Sequence, residues 1–536
     1  MIMRHNYINN FILFILIFNL FIGVDFYQAV FFDKLRLVPD LGFIAIIAGF
    51  SIFCAFTTNI TLLVVVGLLF LIQLTEFLHF AYFGEFIPPN SIGLMFEEAG
   101  EIIESGVFSF KYIYQITLIP LACFILIVIC LKSIKENRVI YKWTTIPILI
   151  ILSITPIKVI KNSNFSIFYP DQTMHTMRNG IYSFSAYFFK LLPRELSYQR
   201  VQNKYQKYEI EKISTPQNQN IILVIGESVN YEHMSLYGYS RDTTPQLSQL
   251  IDKGLIFKKG ISSSTSTKIS LPLILNSVRE PNNEEMLLLK EANLFKLAKE
   301  NGFKTIYISA QESVLSRSIG ANYIDTMIVF ENEKSLFQNK NDEALLEILD
   351  KITLSEKNFI VLHQRNSHSP YESNYNHRGN KFKKFDQEKV NHQDYIINTY
   401  DNSMYFNDSF LKNAIDYFHS KSKKFYFFFT SDHGEMLGKN GLFGHTIFNI
   451  EATKVPFIYY SSHEDKEFSQ SIEDNITHYE VSNLIAHKLG YKILNPNLKK
   501  GEFFIHGNNH NNVYEVLEYF EVIKDNNKVE YRYIGK

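Results

Sequence analysis

The chain has 536 residues, 46% of them hydrophobic and 15% aromatic, with a formal net charge of -1. That length calls for at least two folded units, and the near-neutral balance argues against a nucleic-acid partner, because no face is forced to be strongly basic. The three cysteines, Cys54, Cys123 and Cys130, all lie in apolar runs, so the polar remainder of the chain holds no disulfide.

Five stretches are apolar enough to cross a bilayer: Phe11 to Phe32, Leu41 to Phe56, Ile60 to Tyr82, Tyr114 to Leu131 and Thr144 to Val159. The first is read as a retained anchor, since its apolar run exceeds a signal-peptide core and no small-x-small cleavage site follows before Asp33. Arg4 and the cluster Lys132, Lys135, Arg138 and Lys142 put the amino terminus and the loop between spans four and five in the cytoplasm. Glu85, Glu97, Glu98, Glu101 and Glu104 suit the outer face. An odd number of spans then places everything after Val159 outside.

Residues 1–160 are accordingly expected to form a transmembrane domain. The segment 161–218 mixes Phe165, Tyr169, Tyr182, Phe184, Tyr187, Phe188 and Phe189 with Lys190, Arg194 and Arg200, and reads as amphipathic helices on the membrane surface. From residue 219 to 536 a soluble α/β domain is expected. Its short apolar runs, Ile221 to Ile225, Thr305 to Ile308, Phe359 to Leu362, Phe425 to Phe429 and Val455 to Tyr460, predict a mainly parallel sheet covered by helices. Glu227, His363, His368, Asp432 and His433 follow these strands at once, on the rim where such sheets bind ligands.

The strongest local signal is Ser431-Asp432-His433-Gly434-Glu435 at the end of an apolar strand. An adjacent carboxylate and imidazole at a strand end can share one metal ion, and an oxygen-plus-nitrogen set without thiols suits zinc. Glu227, in Val224-Ile225-Gly226-Glu227-Ser228, is a second ligand candidate. Taken alone, these residues also fit a capping aspartate, a packed histidine and a surface glutamate. The hydroxyl-rich run Ser262 to Ser270 precedes an apolar stretch with Pro272, which predicts a helix start that favours a phosphoryl group or an alkoxide.

In this order the pieces resemble the lipid phosphoethanolamine transferases of the alkaline phosphatase and sulfatase superfamily. The matching stretches are Gly226-Glu227-Ser228, Tyr237-Gly238-Tyr239-Ser240-Arg241-Asp242-Thr243-Thr244-Pro245, the Thr267 loop, Asn366-Ser367-His368-Ser369-Pro370-Tyr371, Tyr400-Asp401-Asn402, and Ser431 to Glu435 through Gly444-His445. The resemblance implies that Thr267 is the nucleophile, with Thr265 as fallback, and that Glu227, Thr267, Asp432 and His433 hold one catalytic zinc. It further implies that His368, Glu435 and His445 line the substrate side or hold additional zinc. The expected reaction carries phosphoethanolamine from phosphatidylethanolamine to an envelope acceptor (lipid A, a lipooligosaccharide core, another glycan or a protein) through a phosphothreonine. The expected setting is a monomer in a bacterial inner membrane with its catalytic domain in the periplasm.

Ser263 stands where disulfide-bearing members carry a cysteine. On the outer loop only Glu101 keeps the family's donor head-group pattern, Gly93 and Glu97 having replaced the other positions. The Ser and Lys expected after Ser309 have no clear counterpart at Gln311 and Ser313. The formylglycine pattern of sulfatases is absent around Ile269-Ser270-Leu271-Pro272, so sulfate-ester hydrolysis is not expected. The rival readings are a phosphoglycerol transferase of the lipoteichoic acid synthase type and a catalytically inactive membrane sensor.

Overall fold

The computed structural model describes residues 2–31, 40–83, 86–97, 99–134, 137–162, 168, 170–171, 173–193, 205–281, 283–312, 319–387, 390–422, 424–445, 448–499, 501–507, 519–525 and 528–534. Phe32, Asp33, Glu85, Glu98, Lys135, Phe165, Tyr169, Arg194, Arg200 and Ser313, all singled out above, lie outside these residues. The chain divides into two compact units, Met1–Gln199 with Gly441–Phe443, and Arg200–Asn440 with Gly444–Lys536. The division falls inside the 161–218 segment.

The first unit is helical: α1 (Ile2–Phe18), α2 (Val24–Phe31), α3 (Leu41–Phe56), α4 (Asn59–Phe83), α5 (Pro89–Glu97), α6 (Ala99–Ile134), α7 (Thr145–Lys161) and α8 (Thr176–Ala186). A π-turn over Asn19–Gly23 joins α1 to α2. Four windows, Asn6–Tyr27, Asn59–Ala81, Thr117–Ile134 and Lys142–Lys161, are long and apolar enough to cross a membrane, and α3 is an apolar helix of 16 residues. At ~1.5 Å per residue α3 falls short of the ~30 Å hydrocarbon layer, which explains why it reads as the weakest span. The acidic stretch expected on the outer face is helical: Glu97 ends α5, and Glu101 and Glu104 lie on α6. Arg138, one of the orienting basic residues, is buried and bonds the Ala55 and Thr57 carbonyls at the end of α3 together with Asn59 Oδ1. Its guanidinium thus closes the α3–α4 turn, where helix carbonyls otherwise lack donors.

The second unit is built on an eight-stranded sheet. Its strands are β1 (Asn220–Gly226), β2 (Ile256–Ile261), β3 (Lys304–Ser309), β4 (Thr326–Ile328), β5 (Asn358–His363), β6 (Phe425–Ser431), β7 (Lys454–Ser461) and β8 (Ile476–Thr477). Their spatial order is β8-β2-β7-β6-β1-β5-β3-β4, parallel throughout except that β7 runs antiparallel to both neighbours. β1 shows why the sequence demands two covered faces. All seven of its residues are buried, Ile222 and Val224 joining one hydrophobic cluster and Ile221, Leu223 and Ile225 the other. A strand with successive side chains on opposite faces and no polar face can only lie at the middle of such a sandwich.

All five predicted strands are present. Sequence reading missed β2, in which Lys258 and Lys259 interrupt the apolar pattern. That omission matters, because β2 delivers the hydroxyl-rich loop to the same sheet edge as the ends of β1, β5 and β6.

Candidate active site and metal centre

Four strand ends deliver the site. Glu227 follows β1, His363 closes β5, Asp432 and His433 follow β6, and the loop after β2 enters helix α9 (Thr267–Leu275), whose first residue is Thr267. The Thr267 hydroxyl lies 2.5 Å from Asp432 Oδ2, 3.1 Å from Glu227 Oε2 and 3.2 Å from His433 Nε2. Glu227, Asp432 and His433 are fully enclosed, at no more than 1% exposure. The structure therefore gathers in one place the four residues singled out from sequence.

Local backbone constraints make this gathering possible. Ser228 takes a left-handed conformation at φ 59°, which turns the chain immediately after Glu227. Its backbone N–H donates to Asp432 Oδ1 at 3.2 Å, and its carbonyl accepts from Tyr400 Oη at 2.7 Å. Gly434 is required sterically, because a Cβ there would sit 2.7 Å from the Lys454 carbonyl oxygen.

The stretch Tyr239-Ser240-Arg241 works at a distance. Tyr239 Oη and Arg241 Nη1 both bond Asp401 Oδ2, at 2.9 and 2.8 Å, while His233 Nδ1 bonds Asp401 Oδ1 at 2.8 Å. Asp401 neighbours Tyr400 on α10 (His392–Lys421), so the motif braces the helix that holds Ser228. Asp401→Ala is expected to destabilise the full chain by about 3 kcal/mol, because three buried or half-buried partners lose their acceptor. Denaturant melts check this, and zinc content per folded molecule should stay unchanged.

The electrostatics of the cluster call for a positive charge. Burial, reinforced by the charge of Glu227, pushes Asp432 up to about 7. Burial also opposes ionisation of Glu227, yet His433 outweighs it and holds that carboxyl well below the usual range. His433, which burial alone would lower, is raised to about 10 by Asp432 and Glu227.

Its Nδ1 lies 2.9 Å from the Gly434 carbonyl oxygen, an acceptor, so Nδ1 carries a hydrogen and Nε2 is the nitrogen turned to the carboxylates, at 3.3 and 3.4 Å. An imidazole oriented by a backbone carbonyl and facing two buried carboxylates is the arrangement of a metal ligand. Two groups place ligand atoms within 4.8 Å of one another: Glu227, His433 and His445, and Glu227, His363 and Asp432. Oxygen and imidazole donors without thiolate fit zinc.

The remaining predicted residues form a second row. His445 packs on His433 with ring centroids 4.2 Å apart and the ring planes tilted by 33°, and its Nδ1 bonds Glu435 Oε2 at 2.8 Å. Tyr371 Oη donates to the other oxygen of Glu435. His368 lies 5.8 Å, ring to ring, from His445. Thr265 is buried, and its Oγ1 has no hydrogen-bond partner among the described residues. Glu101 belongs to α6, and its side chain lies outside the described residues.

Two contributors had no assigned role in the sequence reading. His363 was placed on the rim without a function. Gln311 was noted only as a departure, yet its amide Nε2 donates to Glu227 Oε2 at 2.7 Å and to the Gln364 carbonyl at 2.8 Å. The signal for both was their position, at or just past the ends of β5 and β3.

A family profile described as Sulfatase matches residues 219–491, just over half of the chain. Among curated relatives, a Kdo(2)-lipid A phosphoethanolamine 7''-transferase of Salmonella typhimurium is 29% identical over 242 residues, covering 41% of this chain and 39% of the relative. The phosphoethanolamine transferase EptA of Helicobacter pylori is 29% identical over 260 residues, covering 46% of this chain and 48% of the relative. The phosphatidylethanolamine transferase Mcr-1 of Escherichia coli is 26% identical over 282 residues, covering 49% and 52%. The matches thus span about half or less of these relatives' length. The integral membrane protein lipooligosaccharide phosphoethanolamine transferase A of Neisseria meningitidis superposes with a TM-score of 0.59 at 18% identity, over 89% of this chain and 95% of that one. That likeness concerns the fold, apolar helices followed by an α/β domain. On the profile match and the geometry of its strand ends, the chain belongs to the sulfatase family.

Proposed function

We propose that this protein transfers phosphoethanolamine from phosphatidylethanolamine to lipid A or another envelope glycan, with Thr267 as the group that carries the phosphoryl moiety between the two. The observation that carries this reading is the Thr267 hydroxyl at the start of α9, within 3.2 Å of two buried carboxylates and an imidazole. Glu227, Asp432, His433 and Thr267 would hold a zinc ion, which when bound lowers the pKa of a coordinated hydroxyl and neutralises phosphoryl oxygens.

Thr267 Oγ1 attacks the head-group phosphorus, and the bond to the diacylglycerol oxygen breaks, that oxygen taking a proton as it leaves. An acceptor hydroxyl then attacks the same phosphorus from the opposite side and releases Thr267. The Glu435–His445 pair would take the acceptor's proton, Glu435 holding the ring through Nδ1 so that Nε2 is the basic nitrogen. Backbone N–H groups at the start of α9 supply donors for the non-bridging oxygens. The curated relatives named above act, by their names, as phosphoethanolamine transferases, which supports this donor over phosphatidylglycerol.

The apolar helices would hold the catalytic unit beside a lipid donor, on the outer side of a bacterial cytoplasmic membrane. The segment 161–218 would connect the two parts.

The test is reconstitution of the full chain with isotope-labelled phosphatidylethanolamine or phosphatidylglycerol and a lipid A acceptor, read by mass spectrometry. Label is expected on the acceptor from phosphatidylethanolamine alone. Transfer of phosphoglycerol, or of neither, overturns the reading.

A further inference from the structure

The loop that carries Thr267 is held from behind by a histidine on a distant helix. His478 opens α11 (His478–Leu489) and is buried. Its Nδ1 accepts the Ser263 backbone N–H at 3.0 Å, so that nitrogen is bare. Its Nε2 lies 2.8 Å from the Ser431 carbonyl oxygen, an acceptor, so Nε2 carries the hydrogen. Ser431 is the last residue of β6 and directly precedes Asp432, while Ser263 stands four residues before Thr267. One flat ring therefore links the strand end that delivers Asp432 and His433 to the loop that delivers the hydroxyl.

A second link runs beside it. Ser270, in the first turn of α9, donates its hydroxyl hydrogen to the Asp432 carbonyl at 2.5 Å, and its Oγ is 3.2 Å from His478 Nδ1. Because that single hydrogen goes to Asp432, the Nδ1 lone pair is left to Ser263. The other side of the loop is tied as well. The Ser262 N–H bonds the Thr453 carbonyl at 2.9 Å, and the N–H of His506, at the end of β9 (Glu502–His506), bonds the Ser263 carbonyl at 2.7 Å.

The helix beneath is a firm base. Thr477 and Glu480 form a reciprocal cap at its start, and Val481, Ile485, Ala486 and Leu489 join the hydrophobic cluster on one face of the sheet. Burial pushes the His478 ring down to about 4, so at neutral pH it keeps its lone pair for Ser263.

We propose that His478 is a positioning residue for Thr267, setting the spacing between the Ser263–Thr267 loop and the end of β6 so that the hydroxyl meets Asp432. An imidazole offers an acceptor and a donor on opposite sides of a rigid ring, so it fixes a separation as well as satisfying two buried main-chain groups. It acts through Ser263, Ser270 and Ser431. The kinetic part of this role rests on the reading of Thr267 as the transferring group; the tie between loop and strand end does not.

The test compares His478→Ala, His478→Asn, His478→Gln and Ile485→Ala in the full chain, with turnover normalised to folded protein at saturating zinc. His478→Ala is expected to lower kcat about a hundredfold with the donor KM within about twofold, the scale for a reacting group displaced by about 1 Å. His478→Asn puts an acceptor back near the place of Nδ1 and should recover to within about tenfold of the parent. His478→Gln keeps the donor toward Ser431 but not that acceptor, and should show the loss that Asn repairs. Ile485→Ala weakens the same helix while leaving both hydrogen bonds, so its melting temperature falls and its kcat stays within about twofold. Hydrogen exchange in the 262–267 peptide should be at least about tenfold faster in His478→Ala and parent-like in Ile485→Ala.

A kcat for His478→Ala within twofold of the parent, a loss matched by Ile485→Ala, or unchanged exchange overturns the proposal. Should His478→Ala fail to fold, Asn against Gln decides, and equal rates for the two overturn it. If the parent itself transfers nothing, the transferase reading has failed, and exchange alone decides the tie: faster exchange in His478→Ala than in Ile485→Ala upholds it, and equal exchange overturns it.

Discussion

Thr267→Ala is expected to lower transfer by about four orders of magnitude or more while leaving the protein folded, the usual scale for removing a covalent nucleophile. The substitution deletes a hydroxyl and a methyl at the first residue of α9, where no main-chain hydrogen bond of the helix depends on the side chain. Its melting temperature should therefore stay within a few degrees of the parent. Thr267→Ser restores the hydroxyl in the same place and should recover most of the rate. Turnover of labelled donor is the measurement, with a phosphorylated Thr267 peptide sought in the parent after a donor-only incubation. Full activity in the alanine variant would move the nucleophile to Thr265 or to another group.

Zinc is expected to stabilise the second unit, and by more at pH 8 than at pH 5. Burial and the neighbouring Glu227 raise Asp432 to about 7 from an ordinary 3.8, so the metal-free folded state binds the extra proton and loses stability as pH rises between those values. His433 behaves with the same sign higher up: Asp432 and Glu227 overcome the lowering effect of burial and raise it to about 10, so its contribution is complete below 6.5 and is lost as pH rises toward 10. Glu227, held low by His433 against the effect of burial, changes stability only below its ordinary value of 4.5.

Above that value the metal-free cluster weakens with every step toward alkaline pH. A divalent cation replaces those protons and binds best when they are gone. At a hundredfold excess over its dissociation constant it contributes about 2.7 kcal/mol. The measurement is a set of melting curves at pH 5, 6.5 and 8, with zinc and with chelator. A zinc-induced shift that shrinks as pH rises, or that survives Asp432→Asn with His433→Ala, would contradict the proposed ligand set. Chelation should abolish transfer, and added zinc restore it.

Much of the site was legible because the chemistry sits at the ends of strands that announce themselves. The apolar run Phe425 to Phe429 is followed within three residues by Asp432, and the run Ile221 to Ile225 within two by Glu227; a strand with no polar face just before an acidic residue has few other ways to fold. Thr267 was reachable only through resemblance, since the run of six consecutive hydroxyl-bearing residues from Ser262 to Thr267 shows no periodicity that picks one. β2 escaped notice because Lys258 and Lys259 lie in a strand with one partly solvated stretch, and a short strand with two charges resembles a loop. Gln311 was missed for a deeper reason. Whether an amide or a carboxylate is paired depends on which atoms arrive opposite it, and Glu227 is 84 residues from Gln311 in sequence.

The sequence by itself determined that this chain has apolar helices followed by an α/β unit with a carboxylate-and-imidazole rim, because hydrophobic periodicity and strand termination are local properties of the chain. Tertiary structure alone decided which oxygen faces which nitrogen: the left-handed turn at Ser228, the glycine contact at Gly434 and the strand order β2-β7-β6-β1 bring Thr267 to Glu227, Asp432 and His433. Distances of about 3 Å between residues far apart in sequence are set by the packing of whole elements, which no local pattern encodes.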